Sequence, residues 1–224
     1  MIDPTRIAGN VRTVRQEMAA ACLLSGRDPA SVILVAVTKT QGPEVLPALR
    51  AAGIHEFGEN RVEHLHDMAT HSQAGDRWHF IGRVQGRQLA KVAQHAHALH
   101  SLCNLEHVER LARACVQNGR TMQVFVQVNI SGEASKAGVT AEALPAILAS
   151  VRSHPALELV GLMTMAPDLA GPIDEVVVRS CFQQTRTLAL THGLPGLSMG
   201  MSGDLSLAVQ EGATVVRIGS RLFA

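Results

Sequence analysis

Residues 32–40 read VILVAVTKT, and this stretch decides the fold class. Residues 32–37 are apolar and mostly β-branched, which is typical of a parallel strand buried on both faces. The polar segment Thr38-Lys39-Thr40 follows at once, without the Gly-rich turn that usually follows the first strand of a dinucleotide-binding sheet. Neither GxGxxG nor a Gly-Lys dipeptide occurs in the sequence, so it lacks a dinucleotide fingerprint and a P-loop.

Further apolar runs follow this first strand at regular intervals. The strand candidates are 32–37, 55–57, 78–82, 98–102, 123–129, 157–163, 196–200 and 214–218. Helix-sized segments alternate with them near 43–52, 60–73, 85–95, 105–118, 140–152, 173–191 and 204–211. Eight strands alternating with helices in 224 residues predict a single-domain (β/α)8 TIM barrel, a fold that typically takes about 250 residues. A doubly wound sheet is the competing architecture.

Two helices have clear sequence signals. An extra N-terminal helix is predicted before the first strand, with one apolar face made of Ile7, Val11, Val14, Met18 and Cys22. It ends near Ser25-Gly26, where the sequence predicts a turn. The segment 105–118 has Asn104 as its predicted cap and Gly119 as its end. Its predicted buried face consists of Leu105, Val108, Leu111, Ala112 and Cys115.

The composition excludes several classes of protein. Apolar residues make up 46% and charged residues 17%, and 20 Lys+Arg against 19 Asp+Glu leave a net charge of +1. No charge block predicts binding to nucleic acid, and no apolar run approaches the ~18 residues of a membrane span. The four cysteines are scattered and no secretion signal is visible, so we expect one domain over 1–224 in the cytoplasm, with reduced thiols. The sequence has no tyrosine, which excludes tyrosine as an acid, base or nucleophile.

Lys39 directly follows the first predicted strand, at the end of a barrel where active sites lie. Two interpretations are open. The apolar strand behind Lys39 could desolvate the ammonium and lower its pKa, which would make the amine nucleophilic toward an aldehyde. Alternatively, a flexible lysine simply reaches water from a strand end.

The last two predicted strands end in small polar residues. Arg217 interrupts the final strand and needs a partner if it is buried, so an ion pair in the barrel is its simplest role. Gly219 and Ser220 follow it, and the preceding strand runs into SMGMSGD, whose Ser202 or Asp204 is the predicted cap of a short helix. Each cluster alone could be an ordinary turn. Together they could bind a phosphate, with Lys39 across the mouth for an aldehyde, and this combination fits pyridoxal phosphate.

The histidines do not predict a metal site. His64 and His66 are two residues apart, whereas residues three or four apart share one face of a helix. We therefore interpret the 11 histidines as surface and core residues, and no metal is expected.

The motifs together resemble those of the pyridoxal phosphate homeostasis protein family. The matching strings, in order, are VILVAVTKT, HEFGEN, WHFIG, QVNISGEASKAG, GLMTM, LSMGMSGD and VVRIGS. They extend from about residue 5 to the C-terminus. The resemblance implies a barrel like the N-terminal domain of bacterial alanine racemase, which binds pyridoxal 5'-phosphate through a lysine Schiff base.

Several residues match the family motifs, and their roles are implied by the resemblance. Lys39 matches the Schiff-base lysine, and Arg217 matches the arginine that hydrogen-bonds the pyridine nitrogen. Asn60 matches a residue beside the cofactor, and Met163 is expected along its ring. The phosphate-binding positions are matched by Ser202, Gly219 and Ser220.

This sequence departs from the family pattern at two places. The family commonly has Gln-x-Asn-Lys after the HFIG strand, whereas Gly86, Arg87 and Gln88 follow Gln85 here. Arg87 could restore the positive charge of the missing lysine. The GEN string is often followed by an aromatic residue, which is Arg61 in this sequence.

The same features favour a carrier over an enzyme. A guanidinium only donates hydrogen bonds, so a pyridine nitrogen that faces Arg217 stays unprotonated and the ring is a weak electron sink. In the racemase, the base opposite the lysine is a tyrosine from a second domain, and we expect neither in this protein. We therefore expect a protein of intracellular vitamin B6 homeostasis, with indirect effects on amino and keto acids and without efficient turnover.

Two alternative functions and the partners follow from the same residues. The first alternative is a weak amino-acid racemase with Cys, His or water as its second base. The second is a sugar-phosphate aldolase or isomerase that uses Lys39 as its amine. The expected partners are the cofactor and pyridoxal phosphate-dependent acceptor enzymes, and neither nucleic acid nor membrane is expected. The scarcity of aromatic residues predicts a monomer.

Overall fold

The fold is a closed barrel of parallel strands in sequence order, as the alternation of strands and helices predicts. A computed structural model describes residues 3–130, 137–166 and 174–224. The strands are β1 (Ile33–Val37), β2 (Glu56–Glu59), β3 (Arg77–Phe80), β4 (Ala98–Leu102), β5 (Met122–Gln127), β6 (Leu157–Met163), β7 (Gly196–Ser198) and β8 (Val215–Ile218). β8 pairs with β1 and closes the ring, which rules out the doubly wound alternative.

Helices surround the strands at the predicted places. They are α1 (Pro4–Leu24), α2 (Leu46–Ala51), α3 (Val62–Ala69), α4 (Leu89–His95), α5 (Leu105–Gln117), α6 (Leu144–Arg152), α7 (Glu175–Thr191), α8 (Leu205–Gln210) and α9 (Ser220–Phe223). Short 3-10 turns at Pro43–Val45 and Gly86–Gln88 form the first part of two predicted helices. Residue 173, the predicted start of α7, lies outside the described residues, and α9 was not predicted.

The extra N-terminal helix, α1, is confirmed. Asp3 caps it by accepting hydrogen bonds from the backbone N–H groups of Thr5 (2.9 Å) and Arg6 (3.2 Å). Its predicted apolar face is buried, and Asn10 donates to the Leu222 carbonyl at 3.2 Å. The helix ends before Gly26, whose φ of 65° lies in the left-handed region that favours glycine.

The predictions for α5 are confirmed with one exception. The Asn104 side chain accepts from the Glu106 N–H at 2.8 Å, and Gly119 has the left-handed φ of 62° expected after the helix. Val108 and its predicted neighbours on that face are buried. The prediction that Leu105 belongs to the buried face is wrong, because Leu105 is 51% exposed. It occupies the first helical position, and helical spacing does not determine how far the buried face extends.

The four cysteines all fall within the described residues, and none forms a disulfide. Cys103 is partly exposed and the other three are buried. In the described ranges, no helix is both long and apolar enough to cross a membrane.

The interior of the barrel has its own small apolar cluster, separate from the core between strands and helices. This cluster consists of Val35, Phe125, Met163 and Val215. Strand pairing places Val35 opposite Arg217 and Met163 opposite Ser198. Ser198 of β7 and Arg217 of β8 therefore lie beside members of the apolar cluster on the paired strands.

Asp76 is a buried carboxylate that ties α2 to the segment before β3. It accepts hydrogen bonds from Arg50 at 2.6 Å and from the Gln73 N–H at 2.8 Å, and His55 lies 3.3 Å away. Burial alone would raise the pKa of Asp76, but these hydrogen bonds and the Arg50 charge outweigh it and lower the pKa below 3.8.

We expect Asp76→Ala to lower the free energy of unfolding by about 3 kcal/mol, because it leaves Arg50 and the Gln73 N–H without their partner. Urea denaturation measures this loss. The carboxyl of Asp76 has a lower pKa in the folded protein than its ordinary value of 3.8. Its stabilisation is therefore present at pH values above 3.8 and is lost as the pH falls through the pKa of the folded state. The matched control is Asp67→Ala on the exposed surface of α3. Equal stabilities of the two variants would contradict the prediction.

Candidate functional site

A cavity of about 440 Å³ opens where the carboxyl ends of the strands meet. It is lined by all the residues that the sequence assigned to the cofactor: Lys39, Asn60, Met163, Ser202, Arg217, Gly219 and Ser220. These residues come from the ends of β1, β2, β6, β7 and β8. Barrel closure therefore brings together in one place residues that are up to 181 positions apart in the sequence, from Lys39 to Ser220.

Lys39 lies just beyond β1, on a turn that hydrogen bonds hold in place. The Thr38 N–H donates to the Gly58 carbonyl at 3.0 Å, and the Gln41 N–H donates to the Thr38 carbonyl at 2.8 Å. Of the two interpretations left open for Lys39, the exposed position of the residue fits the lysine that reaches water and not the one desolvated by its strand. Its side chain reaches the cavity from the rim, where it is free to contact a ligand.

The sequence patterns did not single out Glu59, a buried glutamate that bonds to Thr38, the residue before Lys39. Glu59, at the end of β2, accepts a hydrogen bond from the Thr38 hydroxyl and lies 2.6 Å from His64 Nδ1. Burial raises the pKa of Glu59, and the bonds to Thr38 and His64 offset this increase only in part. The hydrogen bond from Thr38 to Glu59 therefore connects the end of β1 to β2 and stabilises the turn that carries Lys39.

Asn60 follows Glu59 and is positioned by a close backbone contact. A Cβ atom at Gly82 would lie 2.1 Å from the Asn60 carbonyl oxygen, so only glycine fits beside it. Gly82 is the glycine of the WHFIG string, and this close contact explains why glycine occupies the position. Asn60 is exposed at the cavity rim.

Small polar residues line the cavity at the ends of β7 and β8. They do not lie across the mouth from Lys39, as the sequence suggested, because β8 pairs directly with β1, the strand that precedes Lys39. Ser220 Oγ lies 3.2 Å from Ser202 Oγ, and Arg221 donates to the Ser202 carbonyl at 3.3 Å. Gly219 precedes α9 and packs against β1, since a Cβ atom there would lie 3.3 Å from the Val37 carbonyl oxygen. Hydroxyl and backbone N–H groups at this side are the donors that a phosphate needs.

The predicted cap of α8 needs a correction. Asp204 occupies the cap position, but its carboxylate accepts from the Met201 N–H at 2.5 Å and makes no side-chain hydrogen bond to the helix. Ser202 does not cap the helix either, since the Ser202 hydroxyl pairs with Ser220. Asp204 therefore stabilises the turn that carries Ser202.

Arg217 forms part of the cavity floor and is only 5% exposed. It donates to Ser198 Oγ at 2.6 Å and to the Thr164 carbonyl at 3.1 Å. The expected ion pair is wrong, because no carboxylate in the described part of the chain is within ion-pair distance of this guanidinium. Burial lowers the pKa of Arg217 to about 10, so the group stays protonated at neutral pH. Met163 also lines the cavity and is buried.

The residues that depart from the family motifs do not line the cavity. Arg87 is exposed in the 3-10 turn Gly86–Gln88, and Arg61 is exposed at the start of α3. Of the QVNISGEASKAG string, residues 131–136 lie outside the described residues. His64 pairs with Glu59 as described above, whereas His66 lies 2.9 Å from His95.

Comparison with known proteins identifies the family. The family model of the alanine racemase N-terminal domain matches residues 2–224. A protein of Pseudomonas aeruginosa named pyridoxal phosphate homeostasis protein is 40% identical over 220 residues, covering 97% of this chain and 94% of the relative. The chain belongs to the pyridoxal phosphate homeostasis protein family. The resemblance seen in the motifs is thereby confirmed.

Solved structures agree with this family and with its fold. PipY of Synechococcus elongatus, solved with pyridoxal phosphate bound, is 31% identical with a TM-score of 0.82, and the match covers 94% of this chain and all of that one. Alanine racemase of Corynebacterium glutamicum is 19% identical with a TM-score of 0.72, and the match covers 99% of this chain and 60% of the racemase. The second similarity shows the fold alone.

Proposed function

We propose that this family member binds pyridoxal 5'-phosphate in the cavity at the barrel mouth and serves in vitamin B6 homeostasis without efficient turnover. The observation that carries the proposal is that all the residues matched to the cofactor line one cavity of about 440 Å³. The volume is within the range of about 300–1,000 Å³ common for small-molecule sites. The cofactor bound to PipY supports the same choice of ligand.

The cavity offers a matching group for each part of the cofactor. Lys39 on the rim would hold the aldehyde carbon covalently, and Ser202, Gly219 and Ser220, at the ends of the neighbouring strands, would bind the phosphate. Arg217 would donate to the ring nitrogen from the floor. Asn60 and Met163 would contact the ring. When bound, the cofactor supplies an aldehyde that reacts with amines and a ring that can accept electron density.

The residues around the cavity favour holding the cofactor over turnover. Arg217 only donates hydrogen bonds and stays charged, so it keeps a proton away from the ring nitrogen. Among the described residues that line the cavity, Lys39 and Arg217 have the only ionisable side chains, and a guanidinium does not act as a base. Racemisation requires a base on each face of the substrate carbon, and the sequence contains no tyrosine to provide the second one.

The proposal extends to the setting in which the protein works. We place it in the cytoplasm as a monomer of one domain, which passes cofactor to pyridoxal phosphate-dependent acceptor enzymes. The four free cysteines support a reducing compartment. The low aromatic content, 3%, supports a monomer, because protein interfaces are enriched in aromatic residues.

We expect Lys39→Ala to abolish the visible absorbance of protein loaded with pyridoxal phosphate, because the covalent link is lost. Borohydride treatment followed by peptide mass spectrometry should place the cofactor on Lys39 in the unmodified protein. The matched control is Lys91→Ala, an exposed lysine on α4. An equally yellow Lys39→Ala protein would refute the attachment. A colourless protein that borohydride traps only with a sugar phosphate would instead favour an aldolase or isomerase.

We expect Arg217→Ala to weaken cofactor binding at least about tenfold, because a charge-assisted hydrogen bond is worth about 1.5–3 kcal/mol. Equilibrium titration by absorbance measures the dissociation constant. Arg217→Gln keeps donors toward Ser198 and Thr164 and thus separates loss of the charge from loss of packing. Unchanged affinity in both variants would mean that Arg217 is only structural.

We expect the loaded protein in D₂O to place deuterium on the α-carbon of alanine or serine far more slowly than the ~1 s⁻¹ at the slow end of typical enzymes. The reason is that the described cavity lining has only one proton-accepting side chain. Proton NMR of the amino acid measures the exchange. Exchange at an enzymatic rate that is lost when one of the protein's own side chains is removed would establish the racemase alternative.

A further inference from the structure

A line of polar side chains crosses the barrel interior and ends at Arg217. Glu56 Oε2 lies 2.6 Å from His79 Nε2, and His79 Nδ1 lies 2.8 Å from His100 Nε2. His100 Nδ1 lies 2.7 Å from Ser198 Oγ, which accepts from Arg217 at 2.6 Å. We call these five residues the interior network. It uses one residue from each of β2, β3, β4, β7 and β8.

The interior network joins the cavity floor to the opposite end of the barrel. Glu56 is the first residue of β2, and its side chain is 24% exposed at the amino-terminal edge of the strands. His79, His100 and Ser198 are buried. The ring of Phe125 stacks on His100 with centroids 4.5 Å apart and shields it from water. Solvent therefore has access to the network at Glu56, whereas its middle is closed.

The donors of the interior network have one consistent direction. Arg217 can only donate, so Ser198 accepts from it and uses its own hydroxyl hydrogen toward His100 Nδ1. Burial, with the nearby His79 and Arg217, holds the pKa of His100 well below its ordinary value, so this ring is neutral. A neutral His100 then donates through Nε2 to His79, which in turn donates through Nε2 to the Glu56 carboxylate.

One added proton at the Glu56 end reverses this direction. If the Glu56–His79 pair takes up a proton from water, the Nδ1 atom of His79 becomes a donor toward His100. His100 must then accept at Nε2, so its single hydrogen resides on Nδ1 and points at Ser198. Ser198 Oγ now accepts from both His100 and Arg217, and its own hydrogen turns away. The change reaches the group that holds Arg217.

We propose that Glu56, His79 and His100 are positioning residues that couple proton uptake at the amino-terminal edge of the barrel to the hydrogen bonding of Arg217 at the cavity floor. The inference rests on the proposed function in one respect, which is that Arg217 contacts the cofactor ring. It gives the bound cofactor a pH response that originates at the far end of the barrel, distant from Lys39.

Other charged groups face the interior network and set the conditions of the test. Arg77 Nε lies 3.5 Å from Glu56 Oε1 and favours the carboxylate. His97 interacts electrostatically with Glu56 and His79, and burial lowers the pKa of His97 to about 4. Asp204 acts on Arg217 from the α8 side. Because burial lowers the pKa of His97 to about 4, His97 does not account for a transition near neutral pH, and the network variants assign such a transition.

The first measurement reads the hydrogens directly and needs no cofactor. Nitrogen-15 NMR of protein labelled at histidine distinguishes Nε2–H from Nδ1–H rings. We expect His100 to carry its hydrogen on Nε2 at high pH and on Nδ1 after the network takes up a proton, with assignment by His100→Asn. A single unchanging His100 form across the pH range in which the protein stays folded would overturn the inference.

The second measurement follows the cofactor. We expect the visible spectrum of loaded protein to change with pH at the same midpoint as the NMR signal. Glu56→Gln should move that midpoint down by about one pH unit, because the charge that favours the added proton is gone. The matched control is Glu158→Gln, an exposed glutamate on β6, which should leave the midpoint unchanged. His79→Gln should abolish the transition.

The outcomes separate this inference from the proposed function. A Lys39→Ala protein that keeps its colour refutes the mode of cofactor attachment, while the NMR measurement still decides the interior network. Normal Lys39 attachment with a midpoint that Glu56→Gln and His79→Gln leave unchanged refutes the coupling alone. If His79→Gln does not fold, Glu56→Gln decides the result, since it retains an acceptor for His79.

Discussion

The Arg217 guanidinium is buried inside the barrel, and the geometry of the cavity depends on how this charge is held. Removing an ionised group from water costs several kcal/mol unless hydrogen bonds replace its hydration. Ser198 and the Thr164 carbonyl provide such bonds at 2.6 and 3.1 Å. Neither acceptor is a carboxylate, so the charge is solvated by the protein and not neutralised at this point. It remains available to a ligand in the cavity that Arg217 lines.

The residues that hydrogen-bond to Arg217 lie at the ends of two strands, β6 and β7, whose backbones pack closely. Ser198 ends β7 and Thr164 follows β6, and these two strands lie close together at a pair of glycines. A Cβ atom on Gly161 would lie 1.8 Å from the Gly196 carbonyl oxygen, so the pairing of these strands requires glycine at this contact. Gly200, with a φ of 99°, then turns the chain toward Ser202. The contact between β6 and β7 and the turn at Gly200 therefore connect the cavity floor to the turn that carries Ser202.

Local patterns predicted the features that neighbouring residues determine, and they missed those that barrel closure creates. The run 32–37 and the Asn104 cap were correct because strand burial and capping act within a few residues. The strand pattern does not single out His79. Its partners Glu56 and His100 are 23 and 21 residues away on β2 and β4, and the pairing of these strands with β3 brings them into contact. Because both faces of a parallel strand are buried, an apolar run does not show which residue points into the barrel.

The charges on the two sides of the cavity argue for retention of a cofactor over its use in turnover. In the proposed site, Arg217 would present a permanent donor to the ring nitrogen, which would leave the ring without the proton that stabilises a carbanion. Lys39 has the only side chain among the described lining residues that can act as a base, and the proposed covalent attachment would occupy that same amine. A group that holds the cofactor is thus not free to act as a base until another amine displaces it. Under the proposed function, retention of the cofactor and slow chemistry would both follow from this one arrangement, and release would depend on an incoming amine.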